Sequence, residues 1–139
     1  MTKICLYLSI IVAIVLSVSG CADNSNRVEV SLGQEFSLSV KQSAFIKGEN
    51  LEIKFEEVVE DSRCPWEVTC VGEGRVSLSV EINENDVSDN IELSQPGLTD
   101  QSVVAIHKGY QFTYKVEPYP EAGKPISIDE YRLLLVVSK

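Results

Sequence analysis

Two cysteines, Cys64 and Cys70, stand close together in the segment DSRCPWEVTC, with Pro65 and the only tryptophan, Trp66, between them. Thiols at this spacing could hold a metal ion, exchange electrons or form a structural disulfide. A zinc site needs about four ligands, and the only histidine, His107, lies far along the chain. A redox pair of the C-x-x-C type needs closer spacing. The choice between a metal site, a redox pair and a structural disulfide therefore depends on whether the protein is exported to an oxidising compartment.

The amino terminus has the pattern of an export signal. One positive charge, Lys3, precedes a long uncharged apolar run. The run ends in VSGC, which resembles the lipobox of bacterial and archaeal lipoproteins. That resemblance implies cleavage after Gly20 and a thioether-linked lipid on Cys21. The alternative is an uncleaved anchor, because the uncharged run from 4 to 22 is just long enough to span a bilayer. We favour the lipobox.

These features divide the chain into three parts. We predict a signal peptide over 1–20, a polar tether over 21–27 and a single β domain over 28–139. The mature protein is then expected at the outer face of the cell membrane, or on the outer membrane, attached to the bilayer by the lipid on Cys21.

Export also decides how the cysteines are interpreted. Cys5 leaves with the signal peptide and Cys21 carries the lipid, which leaves Cys64 and Cys70 as an even pair. Paired cysteines in an oxidising compartment usually form a disulfide. We therefore predict a Cys64–Cys70 disulfide. Unpaired thiols and a metal site are the less favoured alternatives.

The composition is that of a globular domain and excludes one class of partner. Hydrophobic residues make up 44% of the chain and charged residues 24%, with a formal net charge of −9. Nucleic-acid binding needs clustered Lys and Arg, so no nucleic-acid partner is expected. We interpret the acidity as a solubility property, and we expect a monomer.

Period-2 alternation of apolar residues dominates the mature sequence, and Gly and Pro separate the alternating segments. No window shows a helical stripe of useful length. The pattern predicts an all-β domain of about 7–8 strands. We expect an antiparallel β-sandwich, Ig-like in general architecture; the alternative is a β-barrel.

Four segments give more specific expectations. Alternation on both sides of Gly33-Gln34 predicts a hairpin over 28–40. The change of phase at Val58-Val59 indicates a bulge or the end of a strand. Segments 103–106 and 131–137 are apolar on both faces, so both are expected to be buried, the second as a central strand.

No arrangement of residues indicates catalysis. A serine hydrolase needs a histidine beside its nucleophile, but His107 adjoins a Lys-Gly turn and no G-x-S-x-G motif is present. The acidic residues form no specific paired-carboxylate motif. We predict a protein that is not an enzyme and needs no metal or cofactor.

One acidic segment, EINENDVSDN at 81–90, contains the oxygen ligands that calcium prefers. Val87 and the absence of a central glycine distinguish it from an EF-hand loop. We therefore interpret this segment as a solvated hairpin tip.

The cysteine loop is the best candidate for partner binding, through Arg63, Pro65 and Trp66. Pro65 would stiffen the loop, and Arg63 would pair with Asp61 or a nearby glutamate, or stack on Trp66. Trp66 could be an exposed anchor for a partner or a plug packed on the disulfide. We expect the plug, because a lone buried aromatic residue is the commoner case.

The loop also carries a resemblance. Its core, D-S-R-C-P-x-x-V-x-C, is similar to that of a group of small uncharacterised prokaryotic lipoproteins and secreted proteins, and the similarity extends over most of 32–137. That pattern usually has a tryptophan two positions after the second cysteine, where this chain has Gly72. The resemblance implies export and a β fold but no activity.

The leading hypothesis is a membrane-anchored, extracytoplasmic lipoprotein that acts as a non-catalytic binding or accessory module for an unknown protein partner. The alternative is an inhibitor of extracellular hydrolases, because a loop closed by a disulfide is preorganised for docking. A small enzyme is the third hypothesis.

Overall fold

The computed structural model describes residues 26–139, which form nine strands in two sheets. A short 3-10 turn at Ile128–Glu130 precedes the last strand. The strands are β1 (Arg27–Val30), β2 (Glu35–Ser39), β3 (Ser43–Ile46), β4 (Leu51–Asp61), β5 (Arg75–Glu84), β6 (Val87–Pro96), β7 (Val103–His107), β8 (Tyr110–Glu117) and β9 (Arg132–Ser138).

The larger sheet has the order β1-β3-β4-β5-β6 and is built on the long pair of β4 and β5. Its strands pair antiparallel, except that β1 runs parallel to β3. The register of β4 against β5 shifts between Phe55 and Glu57 and again between Val58 and Glu60. This irregularity confirms the predicted bulge near Val58.

The smaller sheet has the order β2-β9-β8-β7, and all its pairs are antiparallel. Strand β9 lies between β2 and β8, so the predicted central strand over 131–137 is confirmed. Its residues alternate between buried and half-buried, since only one face of this sheet packs on the core.

The core lies between the sheets and consists almost entirely of aliphatic and aromatic side chains. Alternate residues of β4 and β5 enter it from one sheet, including Phe55 and Leu78, while Leu133 and Leu135 enter it from the other. Each sheet is open at both ends of its strand order. The described residues therefore form the predicted β-sandwich and not the closed barrel that was its alternative.

The predicted hairpin over 28–40 is wrong. β1 pairs with β3 in one sheet, whereas β2 pairs with β9 in the other. The turn at Gly33 therefore carries the chain across the sandwich, and the Gly33 amide donates a hydrogen bond to the Val137 carbonyl of β9. Alternation shows that a segment is a strand but does not identify its partner.

The expectation of a buried strand at 103–106 is also wrong. β7 is an edge strand, and Val104 and Ile106 are 53% and 78% exposed. One missed strand explains why there are nine strands. Segment 43–46 is a strand that the prediction missed. Most of the segment 81–90, which we interpreted as a hairpin tip, is also strand, because only Asn85 and Asp86, both with positive φ, form the connection.

The signal peptide over 1–20, the lipid site Cys21 and most of the tether over 21–27 lie outside the described residues. From residue 26 to residue 139, the structure shows no helix with the length and apolar character of a membrane span.

A pair of adjacent leucines in β9 tests the assignment of the core face. Leu133→Ala should lower the free energy of unfolding by about 2–5 kcal/mol, because Leu133 is fully buried between the sheets. Leu134→Ala is the matched control; its side chain lies on the outer face, so its loss should be only ~1 kcal/mol. Urea denaturation measures both, and equal losses would contradict the assigned faces.

Candidate functional site

The cysteine loop connects β4 to β5 at one end of the sandwich. Cys64 and Cys70 form a disulfide with their Cα atoms 6.0 Å apart, which confirms the prediction. Cys64 is buried, while the residues from Trp66 to Glu73 are exposed. The disulfide therefore closes a short loop that projects from the domain and is fixed at its Cys64 end.

A buried charged group supports the base of this loop. The Arg63 side chain is buried and donates hydrogen bonds to both carboxylate oxygens of Asp61, at 2.9 and 2.6 Å. It also donates to the carbonyl oxygens of Val116 and Pro118, at 3.1 and 2.9 Å. Of the alternatives considered for Arg63, the pairing with Asp61 is the one that the structure shows. The two carbonyl bonds link the end of β4 to the end of β8.

Tyr131 completes this group from the start of β9. Its hydroxyl donates a hydrogen bond of 3.0 Å to Asp61 Oδ2. Burial of the ring, together with the neighbouring Asp61 carboxylate, raises the pKa of Tyr131 to about 12. Asp61 thus joins a cation and a neutral hydroxyl from two different parts of the chain.

Tyr119 stands on top of this group. The Arg63 guanidinium lies 5.1 Å from the centre of the Tyr119 ring, in a cation–π contact. The Tyr119 hydroxyl donates to the Cys64 carbonyl at 2.8 Å and accepts from the Leu98 amide at 2.7 Å. These contacts fix the ring in position and orientation. The sequence reasoning missed Tyr119 as a partner of the loop, because it lies 55 residues from Cys64.

Trp66 stacks on Tyr119, with ring centres 5.0 Å apart and an interplanar angle of 26°. Arg63, Tyr119 and Trp66 thus form one layered stack, which we call the stacked tip. Trp66 is 56% exposed, so the expectation of a buried plug is wrong and the alternative of an exposed anchor fits. The reason is that the Arg63 group and Tyr119 already fill the space beneath it.

Two glycines hold the base of the loop against neighbouring backbone. A Cβ atom at Gly74 would overlap the Ser62 carbonyl oxygen, and one at Gly97 would overlap the Glu73 carbonyl oxygen. The Gly97 amide also donates to the Gly74 carbonyl. The sequence shows these glycines, but only the fold shows that close backbone approach requires them.

The only histidine of the chain, His107, lies outside the cysteine loop, at the end of β7. His107 Nε2 is 3.2 Å from Asp89 Oδ2, and Lys108 Nζ is 3.5 Å from the same oxygen. This histidine therefore lies where the edge strand β7 of the smaller sheet approaches the edge strand β6 of the larger sheet. Across residues 26–139, no three His, Cys, Asp or Glu side chains are grouped to hold a metal ion.

Comparison of the chain with models of protein families, with curated proteins and with solved structures found no match.

The buried Tyr131 predicts how stability depends on alkaline pH. The folded-state pKa of about 12 is above the value of about 10 for an unfolded tyrosine. The stabilisation linked to Tyr131 is therefore complete below about pH 10 and is lost as the pH rises towards 12. Tyr131→Phe should remove part of this alkaline decline, leaving the parts due to Tyr110 and Tyr114, whose pKa values are also raised. Urea denaturation at several alkaline pH values measures the decline; identical slopes for variant and wild type would contradict the assignment.

Proposed function

We propose that this chain is an exported, lipid-anchored binding module that docks a protein partner through the stacked tip. The observation that carries the proposal is an exposed tryptophan face on a rigid base. Tryptophan is enriched among the residues that contribute most to protein–protein binding. An anchor already fixed in its bound orientation loses little conformational entropy on association.

The surroundings of Trp66 suit an interface. Val68 lies in the same loop and is 46% exposed, and Leu98, whose amide is hydrogen-bonded to Tyr119, is exposed to the same extent. Both are exposed apolar side chains, one on the loop itself and one on a segment bonded to Tyr119. Glu67 and Glu73 are exposed on the same loop. An apolar centre with polar residues around it is the usual arrangement in a protein interface.

An inhibitor of extracellular hydrolases is the second candidate, and one observation favours it. Every residue from Trp66 to Glu73 is exposed, while the disulfide and the buried Cys64 constrain the loop. A projecting, stapled loop can enter the cleft of an enzyme without being ordered first. The two candidates share one surface and differ in the nature of the partner.

The lipid anchor has its own test. Mass spectrometry of the mature protein from membranes should show an amino terminus that begins at Cys21 and carries a lipid. In Cys21→Ser no thioether can form, so the same measurement should find no lipid on this variant. An intact Met1, or an unmodified Cys21, would contradict the proposal.

Removal of the tryptophan tests the docking surface. After crosslinking on cells, wild-type protein should recover one defined partner, and Trp66→Ala should reduce that recovery by about tenfold or more, because the central anchor is lost. Ile106→Ala is the matched control: it removes an exposed apolar side chain from β7, outside the cysteine loop.

The identity of the recovered partner separates the two candidates. A hydrolase whose activity falls on addition of wild-type protein, but not of Trp66→Ala, would establish the inhibitor. A partner without such activity would support the binding module. Equal recovery by wild type and by folded Trp66→Ala would contradict both.

A further inference from the structure

A second surface feature lies on the outer face of the larger sheet, away from the cysteine loop. It is an open hollow of about 450 Å³, lined by Arg27, Phe45, Asn50, Glu52, Asn83, Asn85 and Asp86. The hollow lies where β4 begins and β5 ends, whereas the loop joins the opposite ends of these strands. The eleven residues of β4 separate the two features by about 30 Å.

The side chains around this hollow are of mixed polarity. Three are amides, each of which can both donate and accept hydrogen bonds, two are carboxylates and one is a guanidinium. The one aromatic residue, Phe45, is half-buried and has the Arg27 guanidinium 4.6 Å from its ring centre. The hollow thus offers donors and acceptors in similar numbers, with one apolar wall.

Several of these polar groups are not used within the domain. The side chains of Asn83 and Asp86 make no hydrogen bond to any other residue of the described 26–139 region, although Asn83 is half-buried. The contact between the Asn50 and Asn85 amides is long, at 3.4 Å. Glu52, by contrast, is held by the Ser43 hydroxyl at 2.8 Å and by Arg27 at 3.6 Å. The hollow therefore contains both a carboxylate held by its neighbours and polar side chains that are free to bond a ligand.

The chemistry of the lining disfavours three ligand classes. A phosphate or other anion would meet the carboxylates of Glu52 and Asp86, while the only cation, Arg27, is already paired with Glu52. An apolar ligand would leave the amides without partners. A divalent cation can take amide as well as carboxylate oxygens, but no three His, Cys, Asp or Glu side chains are grouped to hold one anywhere in residues 26–139. A neutral molecule rich in hydroxyl groups satisfies donors and acceptors alike.

The hollow is also large enough and continues along the sheet. Its volume is within the range of about 300–1,000 Å³ that is typical of small-molecule sites. A smaller hollow of about 140 Å³ shares Glu52 and Asn83 with it and adds Lys54 and Glu81. These side chains are cross-strand neighbours on β4 and β5, since Glu52 pairs with Asn83 and Lys54 with Glu81.

We propose that this hollow is a binding site for a neutral saccharide. Asn83 and Asp86 would bond its hydroxyl groups, and the Arg27 guanidinium, which lies over the Phe45 ring, would donate to them as well. The second hollow, beside Lys54, would take an adjoining sugar unit. This site is separate from the stacked tip and does not depend on the function proposed for it.

An array of neutral hexose and N-acetylhexosamine oligosaccharides tests the proposal on the full chain purified from membranes in detergent. Wild type should bind at least one glycan on the array, and the affinity for that glycan is then measured by calorimetry. Asn83→Ala should weaken binding about tenfold, because a hydrogen-bonding amide at the centre of the site is lost. Asn90→Ala is the matched control, since Asn90 lies on the same face, on β6, but lines neither hollow.

An NMR titration of the wild-type protein and a binding measurement on Trp66→Ala locate the glycan site. In wild-type protein, titration with the bound glycan should shift the backbone amide resonances of Asn50, Glu52, Asn83 and Asn85, a readout that needs no variant to fold. Trp66→Ala should bind the glycan as wild type does. Absence of binding to every neutral glycan, unchanged binding by folded Asn83→Ala, or loss of binding in Trp66→Ala would overturn the proposal.

Discussion

The buried pair of Arg63 and Asp61 is the interaction on which one end of the molecule depends. A guanidinium taken out of water must have its hydrogen bonds replaced, and here one carboxylate and two carbonyl oxygens replace them. Removal of either partner would leave a buried charge unpaired, which typically costs about 3–5 kcal/mol. The pair thus fixes the end of β4 relative to the end of β8, and through Tyr131 to the start of β9.

The exposed tryptophan is a consequence of that pair. Arg63 and the backbone of Cys64 and Leu98 hold Tyr119 in place, and Trp66 stacks on its ring. An apolar ring on such a base is ready to bind without being ordered first. The opposite end of the larger sheet presents amides and carboxylates. The two ends of the sandwich thus differ in chemistry, and we propose different kinds of ligand for them.

Most of the strands, the disulfide and the Arg63–Asp61 pair could be predicted from the sequence, because each depends on residues that are close together in the chain. Alternation identified most strands, since a strand with one buried face must repeat every two residues. The spacing of Cys64 and Cys70, in a chain whose amino terminus has the pattern of an export signal, was enough to predict the disulfide. The pairing of Arg63 with Asp61 was predictable as well, because the residues are two positions apart.

Contacts between distant segments were not predictable in this way. The sequence by itself determined an all-β sandwich with a stapled loop. Only the tertiary structure decided that β1 and β2 belong to different sheets, because alternation is the same for every strand partner. It likewise decided that Trp66 faces solvent, because the ring beneath it comes from Tyr119, on a distant part of the chain. A side chain's exposure depends on which residues already occupy the space around it, and those are brought together only by folding.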